Sequence, residues 1–281
     1  MLNLLRSDLY RMTRLRGGRG ELVGYGIAIL VIPLGITAIH FIGILVAGDS
    51  GALLDTGDNA YDDLFDHMYL TGHFLPLLIS FAMVRLTFAE IDGGYSKTLS
   101  SAIKGTGSRL IERIALAGVL AGALTIVAAL GALTSGAIVT MGGLSFTALP
   151  QMAPWILAIW LTSWVYALPP LVFSLLVRNK TAGYVSTLYA SAYPNILLPV
   201  LSVLSQVLGT TLPLDAFTAL TPFSPGHVVE LLGNGAAAVL GPGTGPFAFD
   251  GGLMAQVAVV FVIWIAIATV SGLAVAARRR G

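Results

Sequence analysis

Six stretches of this chain, at roughly 22–46, 68–88, 114–139, 154–177, 182–208 and 253–277, each run for at least 20 residues with almost no charge. About 20 apolar residues in a helix cross a bilayer's hydrocarbon core. Lipid offers no partner to backbone N–H and C=O groups, so a spanning segment must be a helix or part of a closed barrel. The alternation of a barrel strand is missing from all six, which leaves helices. Hydrophobic residues make up 56% of the 281 and charged residues 10%, too few charges for an ordinary soluble surface. The expected fold is an all-α integral membrane protein, a single transmembrane domain over 1–281 with six transmembrane helices.

The basic residues orient it. All fifteen Lys and Arg fall in four stretches, Arg6 to Arg19, Arg85 to Arg113, Arg178 with Lys180, and Arg278 to Arg280, and the alternate gaps hold none. Those gaps carry acids instead: Asp49, Asp55, Asp58, Asp62, Asp63 and Asp66, then Asp215, Glu230 and Asp250. Short loops rich in Lys and Arg stay cytoplasmic. Both termini are therefore expected inside a plasma membrane, with the acidic gaps outside. The first apolar stretch follows a basic region as a signal peptide does, but it exceeds the roughly 7–15 residues of a signal core and is read as retained. A net charge of +1 conceals this sidedness and does not point to nucleic acid; the basic groups face lipid headgroups or a cytoplasmic partner. Without cysteine there is no disulfide, thiol nucleophile or Cys-zinc site.

Ahead of the first span, Leu2, Leu5, Leu9 and Met12 recur at helical spacing among Arg6, Arg11 and Arg14. This pattern predicts an amphipathic helix over 2–16 lying in the cytoplasmic interface, broken by Gly17, Gly18 and Gly20. In the third span Gly118 and Gly122 form a GxxxG pair, expected to serve packing within one subunit rather than a contact between two. Pro33, Pro169, Pro170, Pro194 and Pro199 are expected to kink their helices or to break one near Tyr193 to Asn195.

The external segment 209–252 is too long for a turn. Its apolar pieces, Ala216 to Phe223 and His227 to Leu232, are too short to span, so short re-entrant or interfacial helices are expected, with breaks at Pro222 and Pro225. The glycine-rich run Gly241 to Pro246 lacks the Lys of a phosphate-binding loop, and no such motif occurs elsewhere. A motor, if one acts, is a separate subunit.

The cytoplasmic loop 89–113 concentrates three acids and four bases, with Glu90, Asp92, Gly94, Ser96, Lys97 and Leu99 in its first half and Ser108 and Arg109 in its second. In these residues, set within this topology, the chain resembles the permease subunits of type-2 ATP-binding-cassette exporters, above all the bacteriocin-resistance and lantibiotic-immunity branch of bacteria. There an acid closes the second helix, a Gly-Ser or Gly-Thr with a base opens a short helix, and a Ser-Arg pair precedes the third span. Tyr95 between Gly94 and Ser96, and Gly107 where proline is frequent, depart from that pattern. The resemblance implies that Glu90, Asp92, Gly94, Ser96, Lys97, Leu99 and Arg109 belong to a coupling element docking on a cytoplasmic ATPase dimer. It also implies that a second permease, identical or related, completes the transporter, and that ATP and Mg bind the ATPase, with no cofactor on this chain. The substrate class implied is hydrophobic or amphipathic, such as a peptide antibiotic, a drug or a lipid.

Other readings draw less support. A channel or secondary transporter calls for inverted repeats or paired midplane charges, and neither is found. A non-transporting anchor or sensor subunit shares the same topology. His40, His67 and His73 read as neutral fillers of polar pockets, Arg85 as a side chain that snorkels, and Asp62, Asp63 and Asp66 as a solvated acidic loop. Ser163 and Ser174 sit among apolar residues without a hydrolase motif, which ranks a catalytic role last.

Overall fold

The structure is a computed structural model that describes residues 23–31, 69–92, 106–139, 149–177, 179–192, 197–209, 213–233 and 251–278, with residues 6, 10, 34, 35, 38, 42, 239, 241 and 249. Among them there is no strand. The helices are α1 (Tyr69–Asp92), α2 (Thr106–Val139), α3 (Leu149–Tyr166), α4 (Leu168–Val177), α5 (Lys180–Ala192), α6 (Leu197–Leu208), α7 (Leu214–Leu220), α8 (Pro225–Leu232) and α9 (Gly252–Arg278), with a 3-10 turn at Thr221–Phe223. Residues 23–31 are helical, with Ile29 buried. Of the expected interfacial helix only Arg6 and Tyr10 are described, both helical and exposed. Among the described residues, three helical segments are long and apolar enough to cross a membrane: Leu110–Thr134, Met152–Ser174 and Gly252–Ala274. The apolar helices Phe74–Phe88 and Leu197–Leu208 are shorter. The described residues are thus nearly all helical, with the character of a membrane-embedded protein.

The centre of the bundle is α3, which packs on α1, α2, α8 and α9. Leu75, Ile79 and Met83 of α1, Leu116, Leu120 and Leu124 of α2, and Trp155 of α3 are fully enclosed. In lipid such helices gain little from leaving solvent; close van der Waals fit and hydrogen bonds hold them, so small residues matter. Gly118 and Gly122 show this. A Cβ on Gly118 would run into the Trp164 ring, and one on Gly122 would meet the Trp160 indole, so the GxxxG face is filled by α3 of the same chain. Gly183 of α5 admits Ser174 and Val84 in the same way, and Gly272 of α9 admits Leu110.

The expected fourth span is two helices. Pro169 and Pro170 have no N–H to give, so the ladder fails and α3 stops at Tyr166. Ala167 makes the joint, donating its N–H to the Trp164 carbonyl (3.3 Å) while its own carbonyl accepts from Leu171 (3.3 Å). The fifth expected span is likewise two helices, α5 and α6; residues 193–196, where the proline break was expected, lie outside the described residues, as does Pro33. Pro199 sits in the first turn of α6, where its missing N–H costs no helix bond. Gly209, with φ of 61°, closes α6 at the expected boundary. The third helix differs from expectation at its start: it begins at Thr106, eight residues before Ile114, and buries Leu110, Glu112 and Arg113.

Candidate functional site: a broken helical segment held by indole and amide donors

Between α6 and α9 the chain folds as α7, the 3-10 turn and α8, as the apolar pieces and prolines of that segment led us to expect. Asp215 lies in the first turn of α7, where a carboxylate meets the positive end of the helix dipole. Thr221 caps that helix and opens the 3-10 turn, with Pro222 at its second position. Ser224 is forced into extended backbone (φ −79°, ψ 129°) by the ring of Pro225, which then starts α8. Two short helices therefore meet at a bend where the Thr221 and Ser224 carbonyls accept from Ser224 and Val228 N–H groups and those of Pro222 and Phe223 take donors from elsewhere.

Side chains from the long helices supply those donors. Gln256 Nε2 donates to the Pro222 carbonyl (2.9 Å) and Trp264 Nε1 to the Phe223 carbonyl (2.8 Å), both from α9. At the far end of α8, Trp155 Nε1 of α3 donates to the Leu232 carbonyl (3.0 Å). Gln256 and Trp264 stand two turns apart, about 12 Å along α9, so the bend lies well down the side of that helix rather than over its end. An unmet carbonyl at such depth costs several kcal/mol in hydrocarbon, roughly. Pro225, Val228, Val229 and Leu232 bury the inner face of α8 against α3, α1 and α9. Phe223 meets Phe249 edge-on at 6.3 Å, and Gly252, with φ of 78°, turns the chain into α9.

The other two tryptophans act alike. Trp160 Nε1 donates to the Gly118 carbonyl (2.9 Å) and Trp164 Nε1 to that of Ile114 (2.7 Å), so all four indoles of the chain bind main-chain carbonyls of another element. Their rings stack at 6.2 Å, and Trp164 meets Phe261 at 5.1 Å. A largely apolar cleft of about 190 Å³ opens between α4 and α9, with Pro169, Val172, Phe173, Trp264 and Ile267 in its wall. Trp264 thus both lines the cleft and holds the bend.

The expected coupling residues divide in two. Glu90 and Asp92 fall in the last turn of α1 and Arg109 in the first turn of α2; Gly94, Ser96, Lys97 and Leu99 lie outside the described residues, as do His40, His67, Asp62, Asp63 and Asp66. His73 lies within α1 and Arg85 is exposed on it. Ser174 is buried and its hydroxyl donates to the Pro170 carbonyl (2.6 Å), the back-bond by which Ser80 and Thr87 also satisfy themselves. Among the described residues no three His, Asp or Glu side chains gather to hold a metal.

Sequence reasoning missed the carbonyl-binding tryptophans, Gln256, and the burial of Glu112 and Arg113. The signals were present. An indole N–H in an apolar segment has only main-chain oxygen to bind, and Gln256 is the one amide in 253–277. The apolar period Leu110, Ile114, Ala117, Ala121 starts a turn before the assumed helix end. No family model and no curated protein matches the chain.

Proposed function

We propose that this chain is the membrane-spanning permease subunit of an ATP-driven exporter of the ATP-binding-cassette type, crossing a bacterial plasma membrane six times with both termini inside. The observation that supports this most is the segment α7 to α8: the resemblance calls for short helices near the outer mouth before the last span, and the chain has two short helices ahead of α9, docked among its long helices. The role of the segment in this reading is to shape the exit, as re-entrant structure whose Pro222, Phe223 and Leu232 carbonyls are met by side chains of the long helices. The last turn of α1, with Glu90 and Asp92, and the first turn of α2, with Arg109, form with 93–105 the element on which a cytoplasmic ATPase dimer pushes. Two permease subunits, each of this kind, complete the path. The ATPase holds ATP and Mg. The uncharged wall of the α4–α9 cleft favours a hydrophobic or amphipathic substrate.

The test is Glu90→Lys in a chain co-expressed with a P-loop ATPase that copurifies with the parent. Reversal of a charge at a partly desolvated contact is expected to cost about 2–5 kcal/mol of association, so the ATPase no longer copurifies and export stops while membrane insertion persists. A variant that retains its ATPase and exports like the parent removes Glu90 from this role.

A further inference from the structure

We propose that the α4–α9 cleft seats one acyl chain from a single leaflet of the bilayer, entering sideways past Phe173 and Ile267. The two helices fix its course. Trp164, just before α4, meets Phe261, and residues Leu168 to Leu176 face Trp264 to Ala268 across the cleft. Higher numbers on one side go with higher numbers on the other, so α4 and α9 run in the same direction. Trp264 stands near the middle of the span Gly252–Ala274. Toward the other end of the cleft, Leu176 is followed in sequence by Arg178, and α9 ends at Arg278; basic residues flank spans at the headgroup layer. Leu168 to Leu176 covers about 12 Å of helix, against about 15 Å for half of a hydrocarbon core. The cleft therefore runs from mid-bilayer toward one headgroup layer, which is the path of a lipid tail.

The wall selects an aliphatic occupant. Its side chains carry no charge, and the one polar group among them, the Trp264 N–H, is committed to the Phe223 carbonyl. Apolar cavities of about 150 Å³ stay dry and take apolar molecules. Phe173, Leu176 and Ile267 are exposed at the rim, so the cleft opens on the outer surface of the bundle, where a bilayer supplies acyl chains. Left empty, both walls would forfeit van der Waals contacts, the main force that holds helices together in lipid. Recognition is of the tail, so a neutral headgroup suffices. The seat requires only a chain lying in a bilayer. Under the export reading a substrate with an alkyl tail would follow the same path; no ATPase enters the experiment below, so its failure and the failure of that reading are separate.

The experiment uses phosphatidylcholine with a photoactivatable diazirine halfway along one chain. The full chain is reconstituted with it and irradiated either in vesicles or after extraction and washing in neutral detergent, and adducts are mapped by peptide mass spectrometry. Val262 and Val270 of α9 bracket the cleft in depth and are 65% and 66% exposed, more than any residue of its wall. Lipid that merely surrounds the protein therefore labels them at least as well. In vesicles both sets should react; after extraction the adducts at Phe173 and Ile267 should remain while those at Val262 and Val270 disappear. Ala268→Leu and Val172→Phe, which fill the cleft from its two walls, should each remove the cleft adducts and, in vesicles, spare those at Val262 and Val270. Cleft adducts that vanish on extraction together with the outer ones, or that survive both fillings, overturn the proposal. The extraction arm needs only the parent, so it decides even where a filled variant does not fold.

Discussion

His227 of α8 is mostly enclosed and has the Glu230 carboxylate 3.8 Å from Nδ1. Burial pushes its imidazole below the ordinary value of 6.5, and Glu230 opposes that without cancelling it. The sign of the consequence follows from which state takes the proton first. Above pH 6.5 the imidazole is mainly neutral in folded and unfolded chains alike, and the docked segment has its full stability. As pH falls below 6.5 the unfolded chain gains a proton that the folded one resists, so stability declines until the lower folded-state value is passed. The melting temperature in detergent should therefore drop between pH 7.5 and 5, and His227→Gln should lessen that slope; an unchanged slope assigns the effect to other groups. His227 was read only as part of an apolar piece. Its chemistry comes from tertiary enclosure, which no local pattern encodes, whereas the self-satisfied hydroxyl of Ser174 follows from its place four residues after Pro170.

At the level of elements, periodicity and proline mark several features that the described residues show. The short helices of 214–232, the stop at Leu208 and the break by Pro169 and Pro170 all follow from local chemistry: apolar length, ring closure, glycine in left-handed backbone. The start of α2 did not, because Arg109, Glu112 and Arg113 made the segment look like loop, and the bundle rather than solvent receives the latter two. The packing of α2 on α3 gives a direct test. Gly118→Ala places a methyl group against the Trp164 ring and loosens the indole from the Ile114 carbonyl. Overfilling of this kind costs about 1–3 kcal/mol. The loss should appear as a lower unfolding temperature and should nearly vanish in a Trp164→Ala background, since the two sites act through one contact. A change of oligomeric state with no change in unfolding would instead place the glycine pair between two copies.

For the whole molecule, sidedness is the property most visible in the residues and least visible in the packing, since charge distribution along the chain decides it and helix contacts are indifferent to it. The cysteine-free sequence makes it measurable. Single cysteines at Asp58 and Ser101 should react with an impermeant reagent from opposite faces of the membrane, Asp58 from outside alone; reaction of both from one face excludes the six-span arrangement. The candidate site was half legible by the same logic: where the short helices lie could be read, but how their bend is held could not, because Trp155, Gln256 and Trp264 are far from it in sequence. The placement of the indoles has an optical consequence. Two of the four fluorophores are bonded across the α2–α3 seam and two to the bent segment, so ultraviolet emission reports the docking of these elements without a label. Substituting Trp155, Trp160, Trp164 and Trp264 by phenylalanine three at a time leaves one lamp lit at each joint in turn.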